Sequence, residues 1–332
     1  MNAAIMILVW SALGFKLAFR KGQLGRSVTW IGGTLTTMAG GVKASVKDSM
    51  VSDIVGDLDK FLATNVIAIN ELQSLAGKLN HAAGLLIILR PFMEPLWAAI
   101  KEGLAGKKTQ APTTTVWTKQ IASSLQWFRA FFSKEGPHLE RFFTVSAYLR
   151  IGTVVEIGTD ASPWGMGGWL TIDGHTTHYF ASKVTEADSA KYGFRIGDSR
   201  GQQIWECLAI LVAVDAWSHI WKKQRIVLKL RGDNVGALFM VVKMRPPDVA
   251  HATIAKELAL RLAALSFPPE AFHTPGVAHV LADKLSRIHM PGAPGLADRS
   301  IHHALAGAEL TEVPVRNEDC YLAKEARQGH SS

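Results

Sequence analysis

The sequence predicts an α/β protein: a mixed five-stranded sheet flanked by helices, preceded by a mainly helical region that carries a β-hairpin. Three observations lead there. The chain has 332 residues, 48% apolar and 19% charged, which suffices for roughly two domains with cores of their own and excludes disorder as the main state. Between Val46 and Leu104 apolar residues recur every three or four positions, the helical period. After residue 150, three strand-like runs on short turns give way to strands alternating with helices, the text of a mixed sheet.

In chain order, Met1 to Phe15 is mostly apolar, has no basic residue before the apolar run and is too short to span a bilayer; it reads as a core segment. Leu13 to Phe19 and Ser27 to Thr36 read as extended runs joined by the turn Arg20 to Gly25, a hairpin. Ile54, Leu58, Phe61 and Leu62, then Leu72, Leu75, Leu79 and Ala83, mark two or three helices, with Pro91 and Pro95 interrupting the later stretch. Gly103 to Thr115 has linker composition, and Trp117 to Phe132 is an amphipathic helix whose aromatic spacing suits packing on the next domain better than stacking on bases. Strands are expected at Thr153–Asp160, Gly168–Ile172 and Thr176–Ser182, then a buried helix from Gln202 to Trp221. A strand Ile226–Leu230, helices Val235–Val242 and Ile254–Leu265, a strand Phe267–Thr274 and a helix from Val280 to about His289 follow. Beyond Pro291 the chain reads as a loosely ordered tail.

Two cysteines, Cys207 and Cys320, and no C-x-x-C pair exclude a disulfide framework and a structural zinc site, so an intracellular setting, cytoplasmic or nuclear, is the expectation. The net charge of +8 is unevenly placed: residues 1–150 carry 17 Lys+Arg against 9 Asp+Glu, residues 151–332 carry 19 against 19. The excess in the first part suits contact with a nucleic-acid backbone and not with a membrane.

Four acids stand out. Asp160 ends an apolar strand, Glu206 lies in the first turns of the most apolar helix, Asp233 follows the strand Ile226–Leu230, and Asp283 is embedded in the helix that begins near Val280. Singly each suits a cap or a turn. Strand ends and a facing helix can, however, bring them to one edge of the sheet, where their mutual repulsion would call for a divalent cation. Oxygen ligands without a cysteine or histidine box fit Mg2+ or Mn2+. Two such ions about 3.5–4 Å apart stabilise the attacking and leaving oxygens of a phosphodiester displacement.

These residues resemble a known family. Thr159-Asp160-Ala161-Ser162-Pro163-Trp164-Gly165-Met166-Gly167-Gly168, the helix with Glu206, Arg231-Gly232-Asp233-Asn234-Val235-Gly236-Ala237-Leu238, and His273-Thr274-Pro275-Gly276 leading into Ala282-Asp283-Lys284-Leu285-Ser286-Arg287 are similar, in order, to the motifs of the ribonuclease H domain of reverse-transcribing elements. The wording is nearest to DIRS-like and gypsy-like retrotransposons. The resemblance implies a ribonuclease H-like sheet over residues 152–290, with Asp160, Glu206, Asp233 and Asp283 as catalytic carboxylates holding two Mg2+ (or Mn2+) ions and cutting the RNA strand of an RNA–DNA hybrid. Leu13-Gly14-Phe15, Lys21-Gly22-Gln23-Leu24-Gly25, Val28-Thr29-Trp30-Ile31-Gly32 and Leu75-Ala76-Gly77-Lys78-Leu79-Asn80 look like the palm end and thumb region of a reverse transcriptase. This implies a truncated polymerase remnant at 1–104, a linker and connection helix at 105–151, and a place beside the rest of a retroelement polyprotein. No Tyr-x-Asp-Asp or comparable aspartate pair precedes the hairpin, so DNA synthesis by this chain alone is not expected. Lys21, Arg26, Lys78, Asn234 and Arg287 are the expected nucleic-acid contacts.

The sequence also departs from the pattern. The family usually carries Asn four residues before the last Asp, where this chain has His279, and the loop that supplies a catalytic histidine is short. His273 is therefore either that histidine or the residue ending the last strand, and His279 reads better as a helix-cap neighbour than as a proton shuttle. These departures leave open a catalytically inactive remnant that binds nucleic acid without cleaving it. An integrase-type enzyme would place its glutamate last among the acids; here it comes second. Gly197-Asp198-Ser199-Arg200-Gly201 matches a nucleophile elbow but lacks the apolar strand before it. Gly165-Met166-Gly167-Gly168 runs into a strand, which removes a dinucleotide role, and His175 and His178 lack a third ligand.

Overall fold

The computed structural model describes residues 3–30, 32–105, 112, 114–133, 139–221, 225–263, 269–314, 316–317 and 320–321. The first segment is a helix, α1 (Ala3–Ala12), apolar on every side. Its residues do not enter the core: Ile5 is 54% exposed and Leu8 68%. With no polar face to set its orientation, no stripe of it docks, and the expected core role fails. Leu13 to Phe19 is likewise not a strand but coil ending in the 3-10 turn Phe19–Lys21.

The hairpin lies one step later, within what the sequence presents as a single extended run. β1 (Ser27–Trp30) and β2 (Gly33–Met38) are antiparallel, turning at Gly32 with φ +71°, a conformation glycine adopts freely. Gln23 lies along β1 through two hydrogen bonds with the Thr29 backbone, which is why the basic stretch before it is not the turn. β3 (Gly41–Val46) extends the meander. The helical expectation is met by α2 (Asp48–Leu62), then β4 (Val66–Ala68), α3 (Ile69–Leu85), a 3-10 stretch Ile87–Met93 containing Pro91, and α4 (Glu94–Leu104). β5 (Thr115–Trp117) pairs with β4 and leads into α5 (Thr118–Phe131). Phe128, Phe131 and Phe132 of this region are buried, and Trp127 and Phe131 pack 5.3 and 5.1 Å from the Phe92 ring. The aromatic face thus packs as expected but inside the first, helical core and not on the next domain, because Phe92 and the α2 and α4 side chains already enclose it. β6 (Glu140–Thr144) closes the sheet β1-β2-β3-β6, followed by the short α6 (Val145–Tyr148).

The second sheet begins with the expected meander, β7 (Thr153–Ala161), β8 (Gly165–Ile172) and β9 (His175–Lys183), followed by α7 (Glu186–Tyr192). α8 (Gln202–Trp221) is the buried helix read from sequence, with Trp205 and Trp217 fully enclosed. Ser199–Trp221 is long and apolar enough to cross a membrane, but 72% of its apolar window is buried inside this fold. β10 (Ile226–Gly232) and α9 (Val235–Lys243) follow, then α10 (Val249–Leu262), which starts before the expected Ile254 because the Asp248 side chain accepts from His251 N. β11 (Glu270–His273) is shorter than expected within the described residues, since 267 and 268 lie outside them, and α11 (Val280–Ser286) stops three residues early.

The sheet is mixed, as predicted, but has six strands and not five, in the order β11-β10-β7-β8-β9 with a final edge strand β12 (Glu309–Leu310). That strand comes from the segment read as a loose tail. α12 (Arg299–Ala304) packs through Ile301 on Leu285, and β12 runs parallel to β9. Trp217 Nε1 donates to Thr311 Oγ1 at 2.9 Å, Arg316 forks the buried Asp188, and the Tyr192 and Tyr321 hydroxyls meet at 2.9 Å. Polar groups spaced too far apart for a local pattern thus pin Thr311, Arg316 and Tyr321. The two main cores touch: Ile88 packs on both, Leu260 of α10 reaches the helical one, and Arg90 Nη1 donates to Lys243 O at 3.0 Å.

Candidate metal centre

β7 and β10 are parallel neighbours with Gly158 opposite Arg231. Two residues on, Asp160 and Asp233 are therefore carried to the same level of adjacent strands, which lie about 4.8 Å apart. Asn234 Oδ1 accepts from Ala237 N at 3.0 Å and caps α9, so the chain turns away immediately after Asp233. Glu206 arrives from α8, whose first turn is tied to the end of β7: Gln202 Nε2 donates to Ala161 O at 2.6 Å and to Glu206 Oε1 at 2.9 Å. One carboxylate oxygen from each of Asp160, Glu206 and Asp233 lies within 4.8 Å of the other two. Asp160 and Glu206 are 4% and 5% exposed.

Burial first, and then the charges of Asp233 and Asp283, raise the Asp160 carboxyl against the opposing hydrogen bond from Ser286 and the Arg287 charge, to about 7 in all. Burial also pushes Glu206 well above the usual carboxylate range, with Asp160 adding to it and the Gln202 bond opposing. Desolvated like charges at this separation are tolerated when ionised only if a cation is shared among them. The donor set is all oxygen, without thiol or imidazole, and suits a hard divalent ion such as Mg2+.

Asp283 does not join the three. Its Oδ1 accepts from Arg287 Nε at 2.7 Å, and its side chain is 38% exposed. His279 is buried, with Nε2 2.8 Å from the Thr159 carbonyl, so that nitrogen braces β7 just before Asp160. His273 is the exposed last residue of β11, opposite Gly232, the position of a strand end. Of the expected nucleic-acid contacts, Lys21 and Arg26 are exposed; Lys78 pairs with Asp57 at 2.7 Å, Asn234 caps α9 and Arg287 holds Asp283. Sequence reasoning missed Gln202 and Ser286. Gln202 stands one helical turn before Glu206, and Ser286 one turn after Asp283, and that spacing was the signal available.

Away from this edge, His178 lies 3.7 Å from Glu309 and His175 is exposed; neither joins a cluster of ligands among the described residues. Asp198 and Arg200 of the elbow-like sequence pair with each other.

No family model matches the chain, and no curated protein does. Solved structures give distant likenesses. The LC11 RNase H1 in complex with an RNA/DNA hybrid is 13% identical, with 40% of this chain and 92% of that one covered and a TM-score of 0.31. RNase H1 from the halophilic archaeon Halobacterium salinarum is also 13% identical, with 42% and 98% covered and a TM-score of 0.31. A foamy viral protease-reverse transcriptase in complex with an RNA/DNA hybrid is 12% identical over 88% of this chain and 56% of that one, with a TM-score of 0.27. Likeness at this level leaves the functional reading to the site itself.

Proposed function

We propose that the chain is a metal-dependent endonuclease that hydrolyses the RNA strand of RNA–DNA hybrids, as the ribonuclease H-type part of a retroelement reverse transcriptase. The supporting observation is the convergence of Asp160, Glu206 and Asp233, 46 and 27 residues apart in sequence, on one edge of a mixed sheet with oxygens within 4.8 Å. Two Mg2+ (or Mn2+) ions, when bound, would activate water and stabilise the departing oxygen at the scissile phosphate. Asp160, Glu206 and Asp233 would hold them. Asp283 would complete the second position on release from Arg287, leaving that guanidinium to meet a phosphate oxygen. Gln202 and Ser286 keep two of the carboxylates oriented, and His279 fixes the backbone beneath them.

On this reading residues 152–290 form the nuclease domain, 1–104 a palm-end and thumb remnant and 105–151 the connection. The hybrid would be recognised by groove shape and 2′-hydroxyls, and exposed cations such as Lys21 and Arg26 would touch its backbone in a salt-dependent way. A second reading, binding without cleavage, is favoured by one observation: the fourth carboxylate is held by Arg287. Incubation of the purified chain with labelled hybrid and Mg2+ separates them. Cleavage that disappears in Asp233→Asn supports the nuclease; binding without cleavage, unchanged in that variant, supports the second.

A further inference from the structure

The residue through which α11 meets the acidic cluster is Ser286. It is fully buried, and its Oγ lies 2.7 Å from Asp160 Oδ2 and 2.8 Å from the Asp283 carbonyl. A hydroxyl has one proton to give, and the charged acceptor makes the stronger bond. The serine is itself held in place: Ser162 Oγ donates to Ser286 O at 2.8 Å and accepts from Gly165 N at 3.1 Å. The helix can sit this close because β8 presents glycines to it. A Cβ on Gly167 would lie 2.4 Å from Ser286 N and from Leu285 Cβ, and one on Gly165 would lie 2.8 Å from Ser286 O.

The geometry points to Ser286 as a positioning residue for cation binding. Its hydroxyl occupies Asp160 Oδ2 and fixes the rotation of that carboxylate, so that the remaining oxygen is presented to the ion shared with Glu206 and Asp233. The inference rests on the metal centre proposed above. Groups that orient metal ligands in this way typically cost 10- to 100-fold in metal affinity when removed.

Isothermal titration of the full chain with Mn2+ at fixed pH, on wild type, Ser286→Ala and Ser286→Cys, tests it. Alanine removes the donor, while cysteine keeps the volume with a weak donor, so the pair separates hydrogen bonding from packing. Both variants, shown to be folded by circular dichroism, are expected to bind Mn2+ about 10-fold more weakly than wild type. Wild-type affinity in either folded variant overturns the role of Ser286 while leaving the metal centre standing. Failure of the wild-type chain to bind Mn2+ overturns both. Weakening in alanine with full recovery in cysteine would show that packing and not the hydrogen bond matters, and would also overturn the proposal.

Discussion

Buried acids occur in two places around the six-stranded sheet, and they are neutralised differently. Around the C-terminal segment, Asp188 is forked by Arg316, and Glu257 is paired with Arg261, which also reaches Asp215 and the Cys320 carbonyl. Asp160 and Glu206 are comparably buried, yet among the described residues neither forms an ion pair; their side-chain partners are the neutral donors Ser286 and Gln202. A buried charge with its countercharge built in is a structural clamp, whereas a group of buried acids without one is set to receive a cation from outside. The same residue types are thus paired with built-in cations in one place and left with neutral donors in the other.

Breaking each set should give opposite signs. The largest effect expected is on turnover: Asp233→Asn should lower hybrid cleavage on the order of 10³-fold or more, read in a gel assay at saturating Mg2+, and near-wild-type cleavage would remove Asp233 from the site. Next, Asp188→Asn should destabilise the fold by about 3–5 kcal/mol, because it strands a buried guanidinium; urea denaturation measures this. Gly167→Ala should cost about 1–3 kcal/mol by pushing α11 off β8, and unchanged stability would contradict the close packing described. Glu206→Gln, by contrast, should raise the urea midpoint of the metal-free protein, because an amide keeps the Gln202 contact without a charge to desolvate beside Asp160.

The pH dependence sharpens the same contrast. Asp160 stays protonated in the native state up to about 7, while an unfolded aspartate titrates near 4. Between those values the native state holds the extra proton, so its contribution to stability is complete below about pH 4 and is lost as pH rises towards 7. In EDTA, the stability of wild type relative to Asp160→Asn should fall across that window. A relative rise would contradict the buried, metal-free carboxylate.

Much of the site was legible because its determinants are local. The α8 span follows from an unbroken apolar helix, and the positions of Asp160 and Asp233 follow from strands that end beside turn residues. What the sequence hid depends on long-range complementarity. The sixth strand is held by Arg316 on Asp188 and Trp217 on Thr311, contacts that no periodicity encodes. The role of Ser286 depends on Gly167 lying 119 residues before it in sequence. The apolar segment Ile5–Trp10 misled for the converse reason: composition suggested burial, but a helix apolar on all sides carries no information about a partner. Asp283, grouped with the other acids by motif, is drawn instead to the arginine one helical turn away.

The central claim is that Asp160, Glu206 and Asp233 share a divalent cation. Crystals of the full chain soaked in MnCl2 and measured at the manganese absorption edge address it directly. The strongest anomalous peak should lie among these three carboxylates, within bonding distance of an oxygen from each. Manganese bound elsewhere, with these oxygens empty or turned apart, would contradict it.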